Sequence, residues 1–91
     1  MTRLHVDIVD ADGTVWTGPA HQVSVPAAEG DMGILPGHLP VLALLRSGVV
    51  RVHEVPMGPM LHFAVRGGFL SVDSDQVTLA VDHARPVAQG S

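Results

Sequence analysis

The chain has no cysteine. Disulfides, thiolate zinc sites and cysteine nucleophiles are therefore absent, and redox chemistry says nothing of compartment. It has no lysine either. Its 5 cations are all arginine, at Arg3, Arg46, Arg51, Arg66 and Arg85. They lie scattered along the sequence, with a net charge of −4, and nothing resembles the basic stripe that phosphate backbones require. Tyrosine is missing, and Trp16, Phe63 and Phe69 are too few for a base-stacking platform. Nucleic acid is not an expected partner. The longest apolar run, Val41 to Leu45, falls far short of the roughly 20 residues that span a bilayer. Met1 to His5 alternates polar and apolar from the start, unlike a signal peptide. The expectation is a soluble intracellular domain whose membrane contact, if any, is indirect. At 91 residues it is one domain with an adequate but thin core.

What the chain does have is short valine-rich runs separated by Gly, Pro and Asp clusters, an all-β pattern. Leu4, Val6 and Ile8 alternate with His5, Asp7 and Val9. Asp10-Ala11-Asp12-Gly13 reads as a turn, and Thr14 to Thr17 returns. Pairing Val9 with Thr14 sets Ile8 opposite Val15 and Asp7 opposite Trp16. Gly18-Pro19 should break this run, His21 to Val25 form the next strand, and Pro26 close it. A loop from Ala27 to Pro40 follows, with a short strand at Met32 to Leu35. Val41 to Leu45 is ambiguous between helix and strand. Val49–Val55 and Met60–Arg66 form a hairpin across Pro56-Met57-Gly58-Pro59. With Val55 opposite Met60, the core face carries Val50, Val52, Glu54, Leu61, Phe63 and Val65. The other face carries Arg51, His53, His62 and Arg66. Gly67-Gly68 bends or bulges the chain. A last hairpin pairs Leu70 with Leu79 and Val72 with Val77. The domain is expected to span 1–84, with a frayed tail at 85–91 that contains Pro86 and Gly90. Nine or ten strands with one apolar face each imply two packed sheets. The expected fold is a β-sandwich of two about five-stranded, mainly antiparallel sheets.

Catalytic signals are weak. The 6 histidines show no H-x-H or H-x-x-x-H spacing. On the expected register His53 faces His62, a solvated pair or an adventitious metal- or proton-linked site. No serine lies in a G-x-S-x-G context. Asp10/Asp12 and Asp73/Asp75 sit in turns, where Asp caps the backbone. No phosphate-cradling P-loop is present. No cofactor, metal or catalytic residue is assigned.

The run Glu29-Gly30-Asp31-Met32-Gly33-Ile34-Leu35-Pro36-Gly37-His38-Leu39-Pro40 stands apart. So long a Gly- and Pro-rich loop in a small domain is either a sandwich-edge crossover folded onto the core or a docking surface. This string, with Ala28 before it and Val41-Leu42 after it, resembles the signature loop of F-type ATP synthase epsilon subunits. Gly67-Gly68-Phe69-Leu70-Ser71-Val72 and Val77-Thr78-Leu79-Ala80-Val81-Asp82 are similar to a second segment of that family. Val6 to Val9 and Gly13 to Gly18 also fit, so the resemblance covers roughly 4 to 84.

The resemblance implies a β-sandwich rotor domain of the central stalk. It would be non-catalytic, peripheral to the cytoplasmic face of a bacterial plasma membrane, and would link the gamma subunit to the c-ring. Carried over by motif, Glu29, Gly30, Asp31, Met32 and Gly33 would face the c-ring, with Asp31 at the tip. Asp10, His38 and Ala43 would face gamma. The family's C-terminal helical hairpin has no counterpart here, so its ATP binding and its inhibition of hydrolysis are not expected. Arg66 replaces a usually small residue before Gly67, and the 56–59 loop is more apolar than usual. The other readings are a stand-alone β-sandwich binding module and, more remotely, a small metal-dependent enzyme.

Overall fold

The computed structural model describes residues 3–88. Among these the regular structure is all strand: β1 (Leu4–Asp10), β2 (Gly13–Ala20), β3 (Gln22–Ala27), β4 (Gly30–Ile34), β5 (Val41–Leu44), β6 (Gly48–His53), β7 (Met60–Asp73) and β8 (Gln76–Val87). Strands β7 and β8 are long enough to belong to two layers, which is how eight strands build a ten-segment sandwich. In the first layer β2, β1, the first half of β8, the second half of β7 and β5 lie side by side. In the second, the end of β8, the start of β7, β6, β3 and β4 do so. All pairs are antiparallel except β1 with β8.

The fold from one layer to the other occurs at Gly67 and Gly68, whose φ values are 51° and 113°. The Gly68 Cα lies against the backbone of β8: a Cβ there would meet the Ala80 carbonyl oxygen and stand 2.6 Å from Val81 Cα. Only glycine allows both the backbone angle and the close approach.

Between the layers lie Leu4, Val6, Ile8, Val23, Val25, Ile34, Val50, Val52, Phe63, Val65, Leu70, Val72, Val77 and Leu79, all buried. They are alternate residues of their strands, as period-two patterning requires. Leu70 opposes Leu79 and Val72 opposes Val77, as the sequence predicts.

Several expectations need correction. The first hairpin keeps Val9 opposite Thr14, but a bulge between Ile8 and Val9 sets Ile8 opposite Trp16 and Asp7 opposite Thr17. The extra residue turns the indole inward, where it meets Phe63 at a ring-centroid distance of 6.2 Å and closes one side of the sandwich. Pro19 does not end β2. It sits on an edge strand, where its missing N–H breaks no ladder. Pro26 likewise lies within β3.

The central hairpin slides by two residues, so His53 opposes Met60 and Arg51 opposes His62. The connecting loop begins at Glu54, and Gly58 N turns back on the Val55 carbonyl. A two-residue slip preserves the faces. It does, however, separate the expected His53–His62 pair and leave Glu54 exposed outside the strand.

Finally, β8 runs past residue 84 through Arg85 and Pro86 to Val87, paired with β7. The proline is tolerated because this end of β8 is an edge. The remainder of the expected tail, Gln89 to Ser91, lies outside the described residues.

Candidate functional site

The signature run is more ordered than a loop. Ala27 pairs with Gly30 to close a two-residue turn at Ala28-Glu29, and Gly30 takes a φ of 134°. Asp31, Met32 and Gly33 then continue as β4, the outer strand of the second layer. Met32 packs partly against the core, whereas Glu29, Gly30, Asp31 and Gly33 are exposed.

Asp31 is not a free carboxylate. Its Oδ1 accepts a hydrogen bond from Arg46 Nη2 at 2.6 Å. Asp31 lies opposite Pro26 on one side of β3, and Arg46 N donates to the Pro26 carbonyl at 2.9 Å on the other. The guanidinium therefore spans β3 above the proline ring. Both partners are exposed, so the pair orients more than it stabilises. Arg46 as the partner of Asp31 escaped sequence reasoning, because 15 residues separate them.

The second half of the run, Leu35 to Pro40, crosses from β4 to β5. It is pinned where Gly37 N donates to Asp75 Oδ1 at 2.7 Å. Asp75 belongs to the β7–β8 turn, in which Ser74 and Asp75 have φ values of 51° and 64°. Two positive φ angles match the twist of the flanking strands. The His38 ring donates through Nδ1 to the Leu39 carbonyl at 2.7 Å.

Val41 to Leu44 settles as β5, paired with β7 from Val72 to Phe69. Ala43 and Val41 turn inward against the core. Leu42 and Leu44 turn outward and are 73% and 70% exposed. Leu44 lies opposite Phe69, itself 46% exposed, and Leu39 nearby in the chain is 79% exposed. Monomeric surfaces seldom gather large apolar side chains this way unless a partner covers them. The sequence signal was available: successive residues of a strand face opposite sides, so Leu42 and Leu44 cannot share the core with Val41 and Ala43.

β4 and β5 are the outer strands of opposite layers, and they face each other across an open groove lined by Ala27 to Met32 and Val41 to Leu44. The groove is closed at its base by Ala28 N donating to the Leu44 carbonyl at 2.8 Å. The residues expected at the ring, Glu29 to Gly33, and Ala43, expected at gamma, thus line one edge. Asp10 is elsewhere. Its Oδ1 accepts from Asp12 N at 2.9 Å, capping the β1–β2 turn, and its Oδ2 accepts from Ala84 N at 3.3 Å. His38 sits toward the Asp75 end of β8 and Asp10 toward the bend, so the structure does not bring them together.

On the outer face of the first layer, Asp7 is held between β2 and β8. Thr17 Oγ1 donates to its Oδ1, Gln76 Nε2 donates to its Oδ2 at 2.9 Å, and His5 Nε2 stands 3.4 Å from Oδ1. The Thr17 hydrogen bond chiefly holds the Asp7 carboxyl below its ordinary value, outweighing its partial desolvation. Among the described residues no three His, Asp or Glu side chains converge as a metal site would need.

Comparison with known proteins agrees with this geometry. Residues 3–87 match the family model described as the ATP synthase delta/epsilon chain β-sandwich domain. An ATP synthase epsilon chain of Micrococcus luteus is 44% identical over 93% of this chain and 92% of its own length. Epsilon chain 2 of Burkholderia orbicola is 42% identical over 91% of this chain but only 55% of its own length. This chain thus spans little more than half of some relatives. In solved structures, a chain of the Euglena gracilis mitochondrial ATP synthase superposes with a TM-score of 0.86 at 23% identity. It covers 94% of this chain and 54% of that one. A chain of the Tetrahymena thermophila mitochondrial ATP synthase central stalk and c-ring superposes at 0.73 and 14% identity, covering 92% and 66%. These two show a shared fold. Sequence, strand order and buried core together establish that the chain belongs to the ATP synthase delta/epsilon chain β-sandwich domain family.

Proposed function

We propose that the chain is a non-catalytic rotor domain of an F-type ATP synthase. It joins the gamma subunit to the c-ring in the central stalk, on the cytoplasmic face of a bacterial membrane, and keeps ion flow coupled to ATP synthesis. The observation that carries this reading is the exposed edge of the sandwich. There Glu29 of the β3–β4 turn and Asp31 of β4 stand beside an apolar stripe of Leu42, Leu44 and Phe69. An apolar stripe suits a lasting subunit contact, and a charged tip suits a polar loop of a rotating ring. Gamma covers the stripe, with His38 and the β5 edge beside Ala43 at its border and Asp10 at the far end of the same layer. The ring meets the 29–33 turn. The domain's task is mechanical: a stiff sandwich transmits torque without chemistry of its own.

The test is complementation. Membranes stripped of their epsilon subunit should regain ATP-driven proton pumping when the chain is added back, and the chain should co-sediment with gamma. Failure to bind gamma, with the fold intact by circular dichroism, would favour a stand-alone binding module.

A further inference from the structure

We propose that the outer face of the second layer, centred on Ala64, is a docking surface for an acidic protein segment. This goes beyond the ring and gamma contacts and does not depend on them.

Strand register creates the surface. On β7 the outward residues are His62, Ala64 and Arg66, since Phe63 and Val65 are buried. Across β6, Arg51 opposes His62 and Val49 opposes Ala64. Across β8, Val87 opposes His62, Arg85 opposes Ala64 and His83 opposes Arg66. His53 lies two residues beyond Arg51 on the same face of β6. Three of the chain's 5 arginines and three of its 6 histidines therefore share one face of a protein whose net charge is −4.

No acid stands among these positions of β6, β7 and β8; Asp31, farther along the same face on β4, is already paired with Arg46. Asp82, which precedes His83 at the bend, makes no ion pair, and the salt bridges among the described residues are His5–Asp7 and Arg46–Asp31 alone. Arg51, Arg66 and Arg85 are exposed, and among the described residues none of the three has a hydrogen-bonded or ion-pair partner. Neighbouring Cβ positions in such a grid lie about 5 Å apart, and diagonal ones about 7–8 Å. Unpaired guanidiniums at that spacing repel one another, and an incoming carboxylate relieves all of them at once. Ala64 and Val49 leave low ground at the centre, where a carboxylate can reach three guanidinium forks.

The spacing favours an extended peptide. Alternate residues of a strand lie about 6.4–6.8 Å apart, the same interval that separates His62, Ala64 and Arg66 along β7. An anionic membrane fits less well. Interfacial binding wants apolar side chains on the basic face, and here Leu42, Leu44 and Phe69 lie on the other layer.

The experiment uses the purified chain and a 12-residue peptide of alternating Asp and Ser at low salt. Amide chemical shifts should move at Arg51, His62, Ala64, Arg66 and Arg85 and not along β5. The triple variant Arg51→Gln/Arg66→Gln/Arg85→Gln should weaken binding at least about tenfold with an unchanged melting temperature. Arg3→Gln, just before β1 in the first layer, should change it less than about twofold. Binding should fade as salt rises to about 0.15 M and beyond. No saturable shift, shifts confined to β5, equal binding of an Asn/Ser peptide, or preference for anionic vesicles over the peptide would each overturn the proposal. So would sedimentation showing that the face is covered by a second copy of the chain.

Discussion

Arg46 reaches across Pro26 to the carboxylate of Asp31, with 2.6 Å between Nη2 and Oδ1. The turn expected to meet the ring is thereby tied to the segment leaving β5. Asp31→Lys both reverses a charge at the tip and sets a lysine beside Arg46. The loss of stability should stay below about 1 kcal/mol, since the pair is exposed. In reconstituted vesicles, hydrolysis should continue while proton pumping falls. The swap Asp31→Lys/Arg46→Asp restores the internal pair but not the charge offered to the ring, so pumping should remain impaired. Recovery to wild-type pumping in the swap would mean that Asp31 acts only on Arg46.

The bend at Gly68 gives a sharper stability test. Valine there meets both an unfavourable φ of 113° and the backbone of Ala80 and Val81. Gly68→Val should cost on the order of 1–3 kcal/mol or prevent folding, and Gly68→Ala should already lower the melting temperature. Gly13→Ala is the control. Its φ of 124° is strained too, but no atom lies within 4 Å of the new Cβ, so its cost should be the smaller. Equal melting temperatures for the two alanine variants would remove the close contact as a cause.

Asp7 predicts a pH dependence whose sign follows from its lowered pKa. Ionised Asp7 is favoured in the folded state, so its contribution is complete above the ordinary value of 3.8 and vanishes as pH falls through the lower folded value. Asp7→Asn should melt below wild type at pH 7, and the gap should narrow on acidification beneath about pH 4. Thermal melts between pH 7 and pH 2.5 check this. A gap that widens on acidification would contradict the assignment.

Leu42 and Leu44 separate binding from folding. Leu42→Ser/Leu44→Ser removes exposed side chains and should change stability by less than about 1 kcal/mol. Leu70→Ala, in the core, should cost about 2–5 kcal/mol. The double variant should lose gamma binding while the fold persists, which calorimetry against isolated gamma measures. Undiminished affinity would place gamma elsewhere.

Most strands, their inward faces and the Gly67-Gly68 bend are legible from the residue pattern alone. Alternation and turn chemistry are local: Val50 and Val52 face the core whichever partner they meet. The signature loop also disclosed its family directly. Whatever depends on register between distant segments is set only when the strands pair. A bulge sends Trp16 inward against Phe63, a two-residue slip parts His53 from His62, and pairing with β7 turns the ambiguous Val41–Leu44 into a strand. The Asp31–Arg46 pair and the basic face around Ala64 arise in the same way. Arg51, Arg66 and Arg85 look scattered along the chain and become neighbours only when β6, β7 and β8 align, because charges on separate strands acquire a distance from one another only through the hydrogen-bonded ladder between them.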